Sequence, residues 1–206
     1  MIQIRQTFAP LALTVLLVTG CAKPPTEQIE AAEKAIKEAQ QSGAATYTAE
    51  EYAKLEGTLA ALKKEVGDQD VKFALFRDYG KAEQLAASAK ADGERVKTEA
   101  AKKKEEAKAA ALQAQQVAQE SVKSTLDLVA KAPVGKDRAA LEAIKNDVDA
   151  LKASLNQVQT ALDKEDYPAA QTQAKAIHDK SQAVSTEIQN ALAKVGKGKP
   201  SSSKKK

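Results

Sequence analysis

One cysteine and one histidine, Cys21 and His178, are all the thiol and imidazole chemistry that 206 residues hold. A single cysteine makes no disulfide within the chain. A zinc centre takes three or four ligands, and beside His178 only carboxylates remain, so no metal site is expected. Asp179, Ser181 and Ser185 follow His178 and supply the residue types of a hydrolytic triad. They fall on an ordinary helical stretch with no strand-turn-helix context, so His178 is expected to be exposed to solvent. The adjacent carboxylates Glu50-Glu51 and Glu105-Glu106 would diverge around a helix rather than converge on a substrate. Glycines of the folded body sit singly, which leaves no phosphate-cradling loop. The chain therefore offers no catalytic, cofactor-binding or metal residue, and no enzymatic activity or cofactor is expected.

Cys21 must instead be understood from the segment that delivers it. The amino terminus, MIQIRQTFAPLALTVLLVTGC, carries one basic residue, Arg5, then the apolar run Leu11 to Val18, then the small residues Thr19 and Gly20. This order is that of a secretion signal. Eight helical residues rise only about 12 Å against a hydrocarbon core of roughly 30 Å, too little for a lasting span. Val18-Thr19-Gly20-Cys21 resembles the lipobox of bacterial lipoproteins. The resemblance implies cleavage between Gly20 and Cys21, a diacylglyceryl group on the cysteine sulfur and frequent acylation of the new amino group. Two or three fatty chains make attachment lasting where one binds only reversibly. Ala22-Lys23-Pro24-Pro25 would then form a short stiff spacer. In Gram-negative lipoproteins an aspartate after the cysteine often means retention in the inner membrane. Alanine stands here, so the resemblance implies the periplasmic face of the outer membrane, or the exterior of the cell membrane where there is no outer membrane.

The formal net charge is +4, yet six lysines and no acids lie from Lys194 onward, leaving −2 for everything before them. A basic patch is thus confined to the carboxyl end, where Lys204, Lys205 and Lys206 are candidates for contact with anionic polymers or headgroups. Peptidoglycan linkage through the last lysine, as in murein lipoprotein, and a merely solubilising tail are the other readings. Nucleic acid is not an expected partner.

Aromatic residues make up 3% of the chain and tryptophan is absent, so the interior must be narrow helical seams of alanine, leucine and valine. Thr26 is placed to cap a helix to about Gln41, which Ser42-Gly43 ends. Thr48 and Glu51 form a capping-box pattern, opening a helix with a seam of Tyr52, Leu55, Leu59, Leu62 and Val66. If Gly67 is tolerated, the same rhythm continues through Phe73 and Phe76. A turn is expected at Asp78, and from Tyr79 to about Ala130 no proline intervenes, which predicts one helix of about 80 Å. Its middle, KTEAAKKKEEAKAAALQAQ, resembles the solvated helical stalks of envelope-spanning proteins. Pro133 and Gly135 break the chain. Leu141, Ile144, Val148, Leu151, Leu155, Val158 and Leu162 then mark a further seam, and Ala170, Ala174, Ile177, Val184, Ile188 and Val195 a last one.

An internal repeat links these elements. LEGTLAALKKEV at 55–66 matches IKNDVDALKASL at 144–155, and DYGKAEQLA matches DYPAAQTQA, pairing Asp78 with Asp166 and Tyr79 with Tyr167. Each copy reads as an antiparallel hairpin whose bend carries Asp-Tyr, the ring closing the open end of the seam and the hydroxyl staying wet. The D-Y-x-x-A bend between alanine-rich helices resembles an uncharacterised alanine-rich helical-hairpin lipoprotein family, a domain of unknown function, and more loosely the tetratricopeptide repeat. That resemblance implies an envelope location and helical architecture, with no activity.

The expected fold is all-α, with elongated antiparallel helical hairpins in two diverged copies joined by a long central helix. Residues 1–20 are expected to be the signal peptide and 21–25 a lipidated proline-rich tether. The first hairpin and long helix would span 26–131 and the second hairpin 134–195, leaving 196–206 as a disordered lysine-rich tail. The expected role is a noncatalytic, lipid-anchored spacer or interaction scaffold of the cell envelope. A carrier for a small apolar ligand is the alternative, and a tether to peptidoglycan or another anionic polymer through the tail is a further one. Expected partners are the membrane, through lipid on Cys21, and an envelope protein or cell-wall component. Self-association through the regular seam at 141–162 is a further option.

Overall fold

A computed structural model describes residues 23–131 and 138–197. The fold is all-α, with six α-helices and one 3-10 turn among the described residues: α1 (Thr26–Gln41), α2 (Ala44–Tyr47), α3 (Ala49–Asp70), the turn Ala74–Phe76, α4 (Gly80–Lys131), α5 (Arg138–Asp163) and α6 (Tyr167–Lys197). No described helix is long and apolar enough to cross a membrane.

α4 is the spine of the molecule. Its 52 residues span about 78 Å, and different partners cover its two halves. Along the first half, Ala82, Ala86, Ala89, Val96 and Ala100 are buried against Ala32, Ile36 and Ala39 of α1 and Leu55 and Leu62 of α3. Along the second, Ala111, Ala118 and Val122 are buried with Leu151, Val158 and Leu162 of α5 and Ala170, Ala174 and Ile177 of α6. Beyond these, Val148, Val184 and Ile188 close the core, with Leu128 and Val129 packed against them. Two three-helix cores thus stand end to end on one continuous helix.

Alanine at the contact positions is what lets the helices approach closely. Gly93 is the extreme case: a Cβ added there would lie 2.9 Å from the Ala35 Cβ and 3.0 Å from the Ala35 carbonyl carbon. This contact also fixes the register of α1. Ala35 meets Gly93 and Glu38 is paired with Lys97 at 2.8 Å, offsets of 58 and 59 residues, so α1 runs parallel to α4. Thr26 is therefore level with about Gln84 or Leu85, some 7 Å along the axis from the start of α4. The chain enters the bundle at the end where α3 turns into α4.

Several local expectations are corrected. Thr26 does not cap α1, because the cap position falls on Pro25 and no side-chain bond is made there. Thr48 does stand before α3, but its hydroxyl donates back to the Ala44 carbonyl at 3.2 Å, so the capping box with Glu51 does not form. The short α2, entered through Gly43 at φ +87°, offers that carbonyl first. α3 passes through Gly67 and stops at Asp70, so Phe73 and Phe76 do not continue its seam and stand exposed. The lysine-rich middle of α4 has no buried residue from 101 to 110, although Ala100 and Ala111 on either side are fully buried. Between them Lys104 is paired at 2.6 Å with Glu165 of the α5–α6 connection. The breaker at 132–137 lies outside the described residues, as do the side chains of Leu141 and Val195.

Candidate functional site

Three places gather the polar side chains that connect separate elements. The first is the end of the bundle between α3 and α4. Gln69, buried at the last turn of α3, accepts from the Asp78 amide at 3.1 Å and from Lys72 Nζ at 2.9 Å, while its own amide donates to Glu65 at 2.8 Å. Arg77 reaches back, donating through Nε to the Lys72 carbonyl at 3.0 Å and through Nη2 to the Asp70 carbonyl at 2.8 Å. Asp78 Oδ1 accepts the Gly80 amide at 2.9 Å, which is the turn the sequence predicts. The Tyr79 hydroxyl is not wet as expected, because it donates to the Asp70 carboxylate. That hydrogen bond, helped by burial, holds the phenol above its ordinary pKa. The Lys81 ammonium, 2.7 Å from Glu65, and the Gln69 amide hold the Glu65 carboxyl below its usual value.

The second place is the middle of α4, where the two halves meet. The Tyr47 hydroxyl donates to the Glu165 carbonyl at 3.2 Å, and Lys104 Nζ donates to Glu165 Oε2 at 2.6 Å. Glu165 occupies the left-handed region at φ +58°, in a helix-ending motif where its amide bonds Leu162 and the Asp166 amide bonds Ala161, both at 2.9 Å. Glycine usually fills that position, since a Cβ there costs about 1 kcal/mol. The Lys104 ammonium draws the Glu165 carboxyl below its ordinary value, and the carboxylate in turn raises Lys104. Desolvation pushes the Tyr47 phenol up. Nothing in the sequence marks Glu165 or Tyr47: neither residue type signals a left-handed turn, and the pair is 118 positions apart. Asp166 and Tyr167 lie at this junction, so the second Asp-Tyr bend closes onto the first core rather than facing outward.

The third place is a polar line between α4 and α6. His178 is half-buried rather than exposed, with Nδ1 2.6 Å from Ser121 Oγ and Nε2 2.9 Å from the Gln182 amide nitrogen. Ser121 donates its only hydroxyl proton to the Val117 carbonyl at 2.8 Å. It must then accept from His178, which assigns the Nδ1–H tautomer with Nε2 accepting from Gln182. The polarity is opposite to that of a general base on a serine nucleophile, which must accept the serine's proton. Thr125, fully buried, lies 2.9 Å from the Ser121 carbonyl and 2.8 Å from Ser185 Oγ, extending the line. Ser181 Oγ is buried without a partner. Among the described residues no three metal-ligating side chains converge.

Of the residues singled out from the sequence, Asp78 and Tyr79 are brought together with Gln69 and Asp70 at one end, and Asp166 and Tyr167 with Lys104 and Tyr47 at the middle. Gly20, Cys21, Lys204, Lys205 and Lys206 lie outside the described residues. No family model, curated protein or solved structure matches this chain.

Proposed function

We propose that this chain is a noncatalytic, lipid-anchored spacer of a bacterial cell envelope. Acyl groups on Cys21 hold one end at a membrane, and the helices set how far from that surface a partner is met. The observation that carries the reading is α4, a single helix of about 78 Å covered along both halves and starting at the end where the chain emerges from residues 21–25. Isolated helices bend and fray in water, whereas a helix packed along both halves transmits position. A carrier for an apolar molecule needs space between its helices. At the seams that space is filled, for Ala82, Ala86, Ala111 and Ala174 have no exposed surface. The depression at the junction, about 520 Å³ and lined by Lys104, Lys164, Glu165 and Asp166, is open and charged, and the more apolar one between α4 and α6, lined by Ala114, Val117 and His178, is smaller at about 220 Å³ and likewise open to solvent.

Mass spectrometry of the mature amino terminus, combined with cross-linking in intact cells, tests this reading. A thioether lipid on the first residue and capture of one defined envelope protein or wall fragment are expected. A freely diffusing polypeptide whose Cys21 still reacts with maleimide would overturn it.

A further inference from the structure

The connection between α3 and α4 gathers exposed apolar side chains in one cluster. Val71, Phe73, Leu75 and Phe76 are 86, 70, 72 and 75% exposed, and the rings of Phe73 and Phe76 lie 6.4 Å apart. Water penalises such a patch, and a slack loop would fold these side chains down over the helix ends. This loop is instead held open. Arg77 bonds two carbonyls of the incoming strand of the loop, and Gln69 bonds the amide of Asp78 on the outgoing one. The polar groups of the segment are spent on fixing the backbone, and the apolar groups are turned outward.

The place of the loop names its occupant. Thr26 lies within about 7 Å of the level of Gly80, and Pro25 is buried there. From Pro25 to Cys21 is four residues, at most about 14 Å of extended chain. We propose that the 71–77 loop is a second membrane contact, whose Phe73, Leu75 and Phe76 side chains enter the boundary between headgroups and acyl chains beside the lipid on Cys21. The proposal rests on the lipid-anchor reading for the surface that stands next to the loop. The apolar groups project from the turn of a bundle end, a shape that enters a deformable surface. Lys72 lies within the loop and is exposed, a long side chain of the kind that can reach phosphates while its stem stays apolar. From 64 to 81 the cations Lys64, Lys72, Arg77 and Lys81 are matched by the acids Glu65, Asp68, Asp70 and Asp78, so insertion is driven by apolar burial and depends little on salt. With an anchor and a wedge at the same end, α4 is held at a set angle to the bilayer instead of swinging on a flexible tether.

The absence of tryptophan allows a direct test. Full-length chain is expressed in bacteria as Phe73→Trp, Phe76→Trp or Leu112→Trp and purified from membranes. It is then reconstituted in vesicles of phosphatidylethanolamine and phosphatidylglycerol containing dibrominated phosphatidylcholine, and Cys21 of each preparation is read by mass spectrometry. Leu112 is exposed and lies about 48 Å along α4 from Gly80. Tryptophan at 73 and 76 is expected to shift to the blue and be quenched by bromine, while tryptophan at 112 stays accessible to aqueous acrylamide. In the Phe73→Ser/Phe76→Ser double variant, Val71→Trp is expected to lose at least about half of the bromine quenching it shows in the parent loop. Emission at 73 and 76 that matches position 112 overturns the proposal, including the case in which the loop docks a protein instead. The two readings fail separately. An unmodified Cys21 sinks the anchor and leaves bromine quenching at 73 as evidence for the loop, whereas lipid on Cys21 with tryptophan 73 in water sinks the loop alone.

Discussion

Single side chains matter here in proportion to how little bulk surrounds them. Leu62 is fully buried in a core otherwise made largely of alanine, and neighbours that small collapse poorly into a void. Leu62→Ala is expected to cost about 3 kcal/mol in urea unfolding, and a cost under about 1 kcal/mol would show the core to be looser than described. Ser181 is the opposite case, a buried hydroxyl without a hydrogen bond. Ser181→Ala removes an unpaired polar group and should stabilise the chain by about 1 kcal/mol, read in the same measurement; destabilisation would mean that the hydroxyl is satisfied after all. His178 shows what residue types alone could not decide. Its neighbours in sequence, Asp179 and Lys180, point to a wet surface, but its ring bonds Ser121, 57 positions away. Periodicity identifies which face a residue occupies and not which polar group lies opposite.

At the level of elements the sequence was legible wherever a seam of leucine or alanine repeated at helical spacing. α1, α4 and α5 begin and end within a few residues of their expected limits. Expectations failed at helix ends, where one hydroxyl has several carbonyl and amide partners within reach: Thr48 chose the Ala44 carbonyl over its own helix. The fate of Phe73 and Phe76 was likewise invisible, because periodicity does not record that Arg77 and Gln69 stop α3 at Asp70. Glycines give a paired test of the described packing. Nothing lies within 4 Å of a Cβ added at Gly57, whereas at Gly93 the backbone of α1 is in the way. Gly57→Ala should therefore raise stability by about 0.5–1 kcal/mol through helix propensity. Gly93→Ala should lower it by about 1 kcal/mol, overpacking outweighing the same gain. Thermal melts showing both variants shifted in the same direction would contradict the close approach of α1 and α4.

At the scale of the whole molecule, the two cores are joined by polar contacts at Lys104, Tyr47 and Glu165. The Glu165 carboxyl titrates below its ordinary value, so its pairing contributes stability above the unfolded carboxyl pKa of about 4.3, and that contribution disappears as pH falls through the folded value. Lys104 is raised, so its share is complete below the unfolded pKa of about 10.4 and lost as pH rises through the folded one. The protection of amides at residues 44–48 and 163–167, measured against their intrinsic exchange rates at each pH, should accordingly fall in acid before the seams open. Lys104→Ala should make those amides exchange quickly at neutral pH as well, with the cores at Leu62 and Val158 still protected. Uniform exchange across the chain would mean that the two cores do not meet through this contact. Small-angle scattering should give a maximum dimension of at least about 80 Å for the mature chain, as a continuous α4 requires.

By itself the sequence determined that the chain is all-α, that a long uninterrupted helix runs through its middle, and which faces of the helices are apolar. Those properties follow from local spacing, breaker residues and a composition too poor in bulk to fill anything wider than a seam. Only the tertiary structure decided that the two Asp-Tyr bends are unlike each other, one standing at a free end beside an exposed apolar loop and the other closing onto the centre of α4. The repeat gives both bends the same local instructions. What separates them is that the first bonds Gln69 and Asp70 nine residues before it, whereas the turn of the second meets Lys104 and Tyr47, and a partner more than fifty residues away leaves no mark on the spacing of the residues it touches.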